Sequence, residues 1–192
     1  MRVNRQLAAL ETMILTPLDD VQKEAWHRAP AGRWSVAQVL SHLALGLDAV
    51  VRKLEERKDR TDLLRRATPK QHLLRHLILG VGRIPRVRRA VAGTAPVDRP
   101  DPEMAMAQFR MAIQRLELLV EGIPEEQQQR IFVQHPAVGD LNLPEWVRFF
   151  YVHNRHHAHQ IRVRLRWLAR LRRKARPPTG QPERRRKTKA KG

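Results

Sequence analysis

Apolar residues recur along this chain at intervals of three and four, the spacing that places them on one face of an α-helix. Val3, Leu7, Leu10 and Ile14 predict a first helix over 4–14, which Pro17 ends or turns. A short helical piece is expected over 19–27. Pro30 and Gly32 mark a loop, and Ser35 with Gln38 three residues later forms a capping box, so a helix should open at Val36. Its stripe, Val36, Val39, Leu40, Leu43, Leu47, Val50, Val51 and Leu54, runs to an expected end near Arg57.

The stretch 58–69 reads as a charged connection. A weaker helix over 71–87 is interrupted by Gly80, Gly82 and Pro85, and 92–100 is a loop. Asp101 as N-cap and Pro102 at the first helical position open a helix to about Glu121, striped by Ala105, Phe109, Ala112, Leu116 and Leu119 and ended by Gly122. A short helical segment is expected over 124–132 and a loop over 133–142. Pro144 and Glu145 open the last helix. Trp146, Phe149, Phe150, His153, His157 and Ile161 lie on or near one of its faces, followed by Leu165, Leu168 and Leu171. Period-two segments are almost absent, so the expected fold is all-α, built from four main helices.

Length and composition narrow this further. The 192 residues suit one domain, and an apolar share of 42% can build a core. The formal net charge is +19, but it is unevenly spread. From Arg162 to Gly192 there are 14 Lys and Arg against one acid, Glu183. The segment after Lys174 has three prolines and no apolar periodicity, and cannot offset its ordering entropy. The chain is therefore expected to divide into a helical domain over 1–172 and a disordered basic tail over 173–192. There is no cysteine, which excludes disulfides, thiolate metal sites and a Cys nucleophile. Neither a secretory h-region nor a run of about 18 uncharged apolar residues is visible, so the expectation is a soluble cytoplasmic protein.

Nine histidines are many for this length. His153 and His157, four apart, stack one above the other on the inward stripe of the last helix, a good geometry for a divalent metal. His42, at the edge of another inward stripe, can supply a third ligand. Three neutral imidazoles leave a coordination position open. Alternatively, His153 and His157 are partly exposed helix residues and His42 is a hydrogen-bonded core residue. His72 and His76 repeat the spacing on a weak helix with no third partner. His156 and His159 point away from the 153/157 face and are expected at the surface. His135 can approach a site mouth from its loop.

Gly32-Arg-Trp34-Ser35-Val-Ala-Gln-Val-Leu-Ser-His42-Leu resembles the second-helix motif of the DinB-like superfamily. The run from His135 to Trp146, then His153-Asn-Arg-His-His157-Ala-His-Gln160-Ile161, resembles its later motif, and the likeness spans about 4–170. It implies an up-down-down-up four-helix bundle, often dimeric, with zinc or nickel held by His42, His153 and His157. It also implies kinship with bacillithiol- and mycothiol-dependent S-transferases. In this reading the metal activates a water or a low-molecular-weight thiol, which the Cys-free chain must borrow. Gln160, one turn from His157, would support that ligand. Arg33 could bind an anionic substrate near the bundle end. The competing expectation is a non-catalytic binding module, whose tail and 70–89 segment would contact nucleic acid or anionic membrane. A purely structural metal is a third.

Overall fold

The computed structural model describes residues 2–59, 67–85 and 93–175. Four long helices carry the fold: α1 (Arg2–Leu15), α2 (Val36–Arg57), α4 (Pro102–Gly122) and α6 (Leu143–Ala175). Short helices α3 (Pro69–Arg75) and α5 (Glu125–Gln128) lie in their connections. Local chemistry sets the ends. The Gln38 N–H donates to Ser35 Oγ at 3.2 Å, and the Ser35 N–H donates to Gln38 Oε1 at 3.0 Å, so α2 opens at Val36 as expected. The Asp101 carboxylate caps α4 by accepting from the N–H groups of Glu103 and Met104. Thr68 and Gln71 form a second capping box, on α3, which the sequence reading did not single out.

Contacts at the helix ends fix the topology. Gln38 of α2 donates to the carbonyl of Asp98, just before α4, and Gln127, just after α4, donates to that of Lys58, just after α2. These two helices therefore run parallel, which is why a long connection separates them. Arg115 of α4 ties them midway, pairing with Asp48 at 2.8 Å and with Glu55. Arg164, in the second half of α6, reaches the Trp34 carbonyl at the start of α2, so α6 runs back against α2. Arg172 near the end of α6 donates to Gln22, just beyond α1, which makes α1 and α6 parallel neighbours. The result is an up-down-down-up bundle. Its core draws Leu10 and Ile14 from α1, Leu40, Leu47 and Leu54 from α2, Phe109, Ile113 and Leu116 from α4, and Val147 and Ile161 from α6. Burying each large side chain contributes about 1.5–3 kcal/mol.

Five expectations change. Residues 133–142 belong to an antiparallel hairpin rather than a loop, with β1 (Phe132–His135) and β2 (Gly139–Asn142) placing Val133 opposite Leu141 and His135 opposite Gly139. Val133 and Leu141 turn into the core, the Trp146 indole N–H donates to the Val133 carbonyl at 3.0 Å, and Gly139 takes the left-handed φ of +83° that the turn requires. The helix expected over 71–87 starts earlier and stops sooner. It opens at Pro69 and passes at His76 into a π-helical turn that ends at Gly80. The carbonyls of Leu79, within the turn, and of Gly82, just beyond it, accept from Arg148 and Arg155 of α6; residues 86–90 lie outside the described residues. The piece expected over 19–27 is a 3₁₀ turn at Lys23–Ala25, preceded by another at Thr16–Leu18 that contains Pro17. The segment over 124–132 is helical only in α5. Helix α6 runs past the expected boundary at 172 to Ala175, and the basic segment 176–192 lies outside the described residues. Among those residues no helix is long and apolar enough to cross a membrane.

Candidate metal centre

The capping box at Ser35 starts α2 so that His42, two turns in, faces the middle of α6. One ring nitrogen each of His42, His153 and His157 lies within 4.8 Å of the others. The ring centroids are 5.3 Å apart for His42 and His153, 5.0 Å for His42 and His157, and 4.5 Å for the pair on α6. The Nε2 atoms of His153 and His157 are 3.2 Å apart. Among the described residues no second group of three metal-ligating side chains forms.

Hydrogen bonds set which nitrogen carries the proton. His42 Nδ1 lies 2.8 Å from the Thr94 carbonyl oxygen, which can only accept, so Nδ1 holds the hydrogen and Nε2 keeps its lone pair. His157 Nδ1 lies 3.1 Å from Gln160 Oε1, with the same consequence. The Gln160 amide then donates through Nε2 to Nε2 of His156 at 2.9 Å. The Nε2 lone pair of His157 is left facing His153.

The three rings are also kept neutral. Burial pushes His42 below the ordinary imidazole range, against the pull of its Thr94 hydrogen bond. It holds His153 well below, helped by the neighbouring imidazoles of His157, His42, His156 and His135. His157 falls to about 3, mainly by burial and then by His42 and His156, partly offset by Gln160. A proton is unwelcome here because it leaves a desolvated charge, whereas a divalent cation would gain several lone pairs at once. Aromatic rings enclose the cluster. Trp34 lies 5.0 Å from His42, and Phe149 stacks on His153 at 5.5 Å with an interplanar angle of 17°.

The other candidate residues fall in different places. Gln160 touches His157 directly. His135 ends β1 with its ring 4.7 Å from Phe149 and 5.7 Å from Trp146; burial lowers it to about 4. Its Nδ1 accepts from the Ala137 N–H at 3.1 Å, so the neutral ring carries its hydrogen on Nε2. Arg33 is exposed beside Trp34, and its charge adds to burial in lowering Arg164. His156, expected at the surface, is half-buried because the Gln160 amide holds it against the helix; His159 is exposed. His72 and His76 are both exposed. Two participants were missed. Thr94 acts through its backbone carbonyl, which has no side-chain signature. Arg164 is buried and donates through Nε to the Trp34 carbonyl at 3.0 Å, pinning the loop whose ring covers His42. Its position seven residues after His157 was the available signal.

A family model for the DinB superfamily matches residues 6–161. The chain is also similar to a solved structure, YfiT from Bacillus subtilis, described as a probable metal-dependent hydrolase with an unusual four-helix bundle topology. The TM-score is 0.61 at 15% sequence identity, over 87% of each chain, a likeness of fold. No curated protein matches.

Proposed function

The chain belongs to the DinB superfamily, and from that premise we propose that it is a divalent-metal-dependent enzyme whose ion is held by His42, His153 and His157. The observation that carries this reading is the convergence of three neutral imidazoles, two of them fixed through Nδ1 so that their Nε2 atoms carry lone pairs rather than hydrogens. The spacing fits. Two nitrogens about 2.0–2.1 Å from a tetrahedral ion stand about 3.3 Å apart, and His153 and His157 already present Nε2 atoms 3.2 Å apart. All-nitrogen ligation suits zinc or nickel.

A bound divalent cation supplies Lewis acidity that lowers the pKa of a coordinated water or thiol. This chain's residues do the rest. Thr94 and Gln160 orient His42 and His157 through their Nδ1 hydrogens. Trp34 and Phe149 exclude bulk water from two sides. His135, neutral near pH 7, offers an Nε2–H donor at the mouth, suited to an oxygen of the substrate. The reaction is of hydrolytic type, or a transfer to a low-molecular-weight thiol from solution, since the chain has no cysteine. The description of YfiT as a probable metal-dependent hydrolase supports the first.

Elemental analysis of purified protein tests the reading. Wild type should carry close to one zinc, nickel or other divalent ion per chain, and the His153→Ala/His157→Ala variant almost none. If neither holds metal after reconstitution with zinc and with nickel, the metalloenzyme reading fails.

A further inference from the structure

Away from the histidines, the outward face of α6 carries a row of arginines. At about 100° per residue, Arg162, Arg166, Arg170 and Arg173 fall within one sector of about 80°. All four are exposed, and the exposed His159 continues the same line. Higher on α6, Arg148 and Arg155 share this face, where they donate to the carbonyls of Leu79 and Gly82. Below that point nothing covers the row among the described residues, and none of the four arginines there makes an ion pair or a hydrogen bond. No Asp or Glu occurs from Trp146 to Pro182. Two arginines elsewhere are matched by acids on other helices, Arg115 by Asp48 and Glu55, and Arg75 by Glu145. Like charges at i, i+4 are destabilising on an isolated helix, so this row costs the folded chain stability unless an anion lies against it.

We propose that this face of α6 is a docking surface for the phosphate backbone of a double-stranded nucleic acid, bound without regard to sequence. The row spans about 16 Å from Arg162 to Arg173. It presents a guanidinium at nearly every turn to a duplex that carries one charge per about 1.7 Å of axis. The row holds no Asn or Gln to pair with adenine, its guanidiniums are spread along one helix face as phosphate contacts are, and contacts to phosphate position without specifying. A single strand fits less well, because no exposed aromatic residue flanks the row to stack on bases. A membrane surface also fits less well. Interfacial helices bury an apolar face, and Val163, at 39% exposure, is the large apolar residue this side of α6 exposes.

Fluorescence anisotropy of the full-length chain with a labelled 20-base-pair duplex, titrated from 50 to 200 mM salt, tests this. The comparison is R162Q/R166Q/R170Q/R173Q, with its helicity checked by circular dichroism. Each lost phosphate contact lowers the salt slope by about 0.9. The variant should therefore lose about 3–4 units of slope and at least tenfold in affinity at 100 mM salt, equally for two unrelated sequences. A control with four exposed cations removed elsewhere (K23Q/R28Q/K53Q/R99Q) should keep its slope to within about one unit. The proposal is overturned if wild type fails to bind at 50 mM salt, or if the row variant binds like wild type. It is also overturned if the control loses as much as the row variant, or if vesicles containing 30% phosphatidylserine bind more tightly than the duplex and lose that binding with the row.

Discussion

Gln160 holds His157 through its oxygen and His156 through its amide nitrogen, so one side chain sets the orientation of the other two. Replacing it with Leu removes the acceptor for the His157 Nδ1 hydrogen and lets the ring turn. Outer partners of this kind are typically worth about 10–100-fold in metal affinity. Gln160→Leu should therefore bind zinc about 10–100-fold more weakly in competition with a chromophoric chelator, with its helical content unchanged. His135 makes a different prediction, because it titrates. Its folded pKa of about 4 lies below the ordinary 6.5, so between these values the unfolded chain binds a proton that the folded chain refuses. Stability contributed by this group is present in full above about pH 6.5 and is lost as pH falls towards 4, with a limiting slope of about 1.4 kcal/mol per pH unit. His135→Phe should thus lose about 1–2 kcal/mol less than wild type between pH 6.5 and 5, as measured by urea denaturation. At this scale the sequence showed the histidines, and Gln160 one turn on, because side-chain identity and helical spacing are written in it. It could not show Thr94, whose contribution is a carbonyl that any residue possesses, brought to His42 by tertiary folding.

Helices were legible where a cap and a stripe agreed. Ser35 and Gln38 announced the start of α2 to the residue, and the structure uses both halves of that box. Because the cap fixes the turn on which Trp34 and His42 sit, Ser35→Ala should cost about 0.5–2 kcal/mol of global stability, seen as a lower denaturation midpoint at unchanged slope. The hairpin was illegible for a physical reason. Its strands are four residues each, and only Val133 and Leu141 mark the inward side, too short a pattern to separate from a loop. What stabilises it is remote in kind from strand propensity: an indole on α6 bonded to the Val133 carbonyl, and Arg75 bonded to the Asp140 carbonyl and paired with Glu145. The π-helical turn escaped for a similar reason, since the carbonyls of Leu79 in it and Gly82 just beyond it are taken up by arginines about 70 residues later in the chain.

For the molecule as a whole, periodicity yields four helices but not their directions. The parallel pairing of α2 with α4 rests on Gln38, Arg115 and Gln127 meeting partners 60 or more residues away, and only the resemblance to a known bundle anticipated it. That topology also decides what a metal would do to stability. His42 stands on α2, and His153 and His157 on the antiparallel α6, so an ion shared by the three links two helices that are far apart in sequence. The unfolded chain has no preformed set of three ligands, so binding favours the folded state by RT ln(1 + [M]/Kd), about 4 kcal/mol at a thousandfold excess over Kd. Removing His42 alone should leave the α6 pair as a weaker, two-ligand site. Adding zinc to metal-stripped wild type should therefore raise the thermal midpoint by several degrees, His42→Ala should retain a smaller shift, and His153→Ala/His157→Ala should show none. Equal shifts in all three proteins would mean that the ion stabilises the chain from elsewhere and that the histidines do not act as one site.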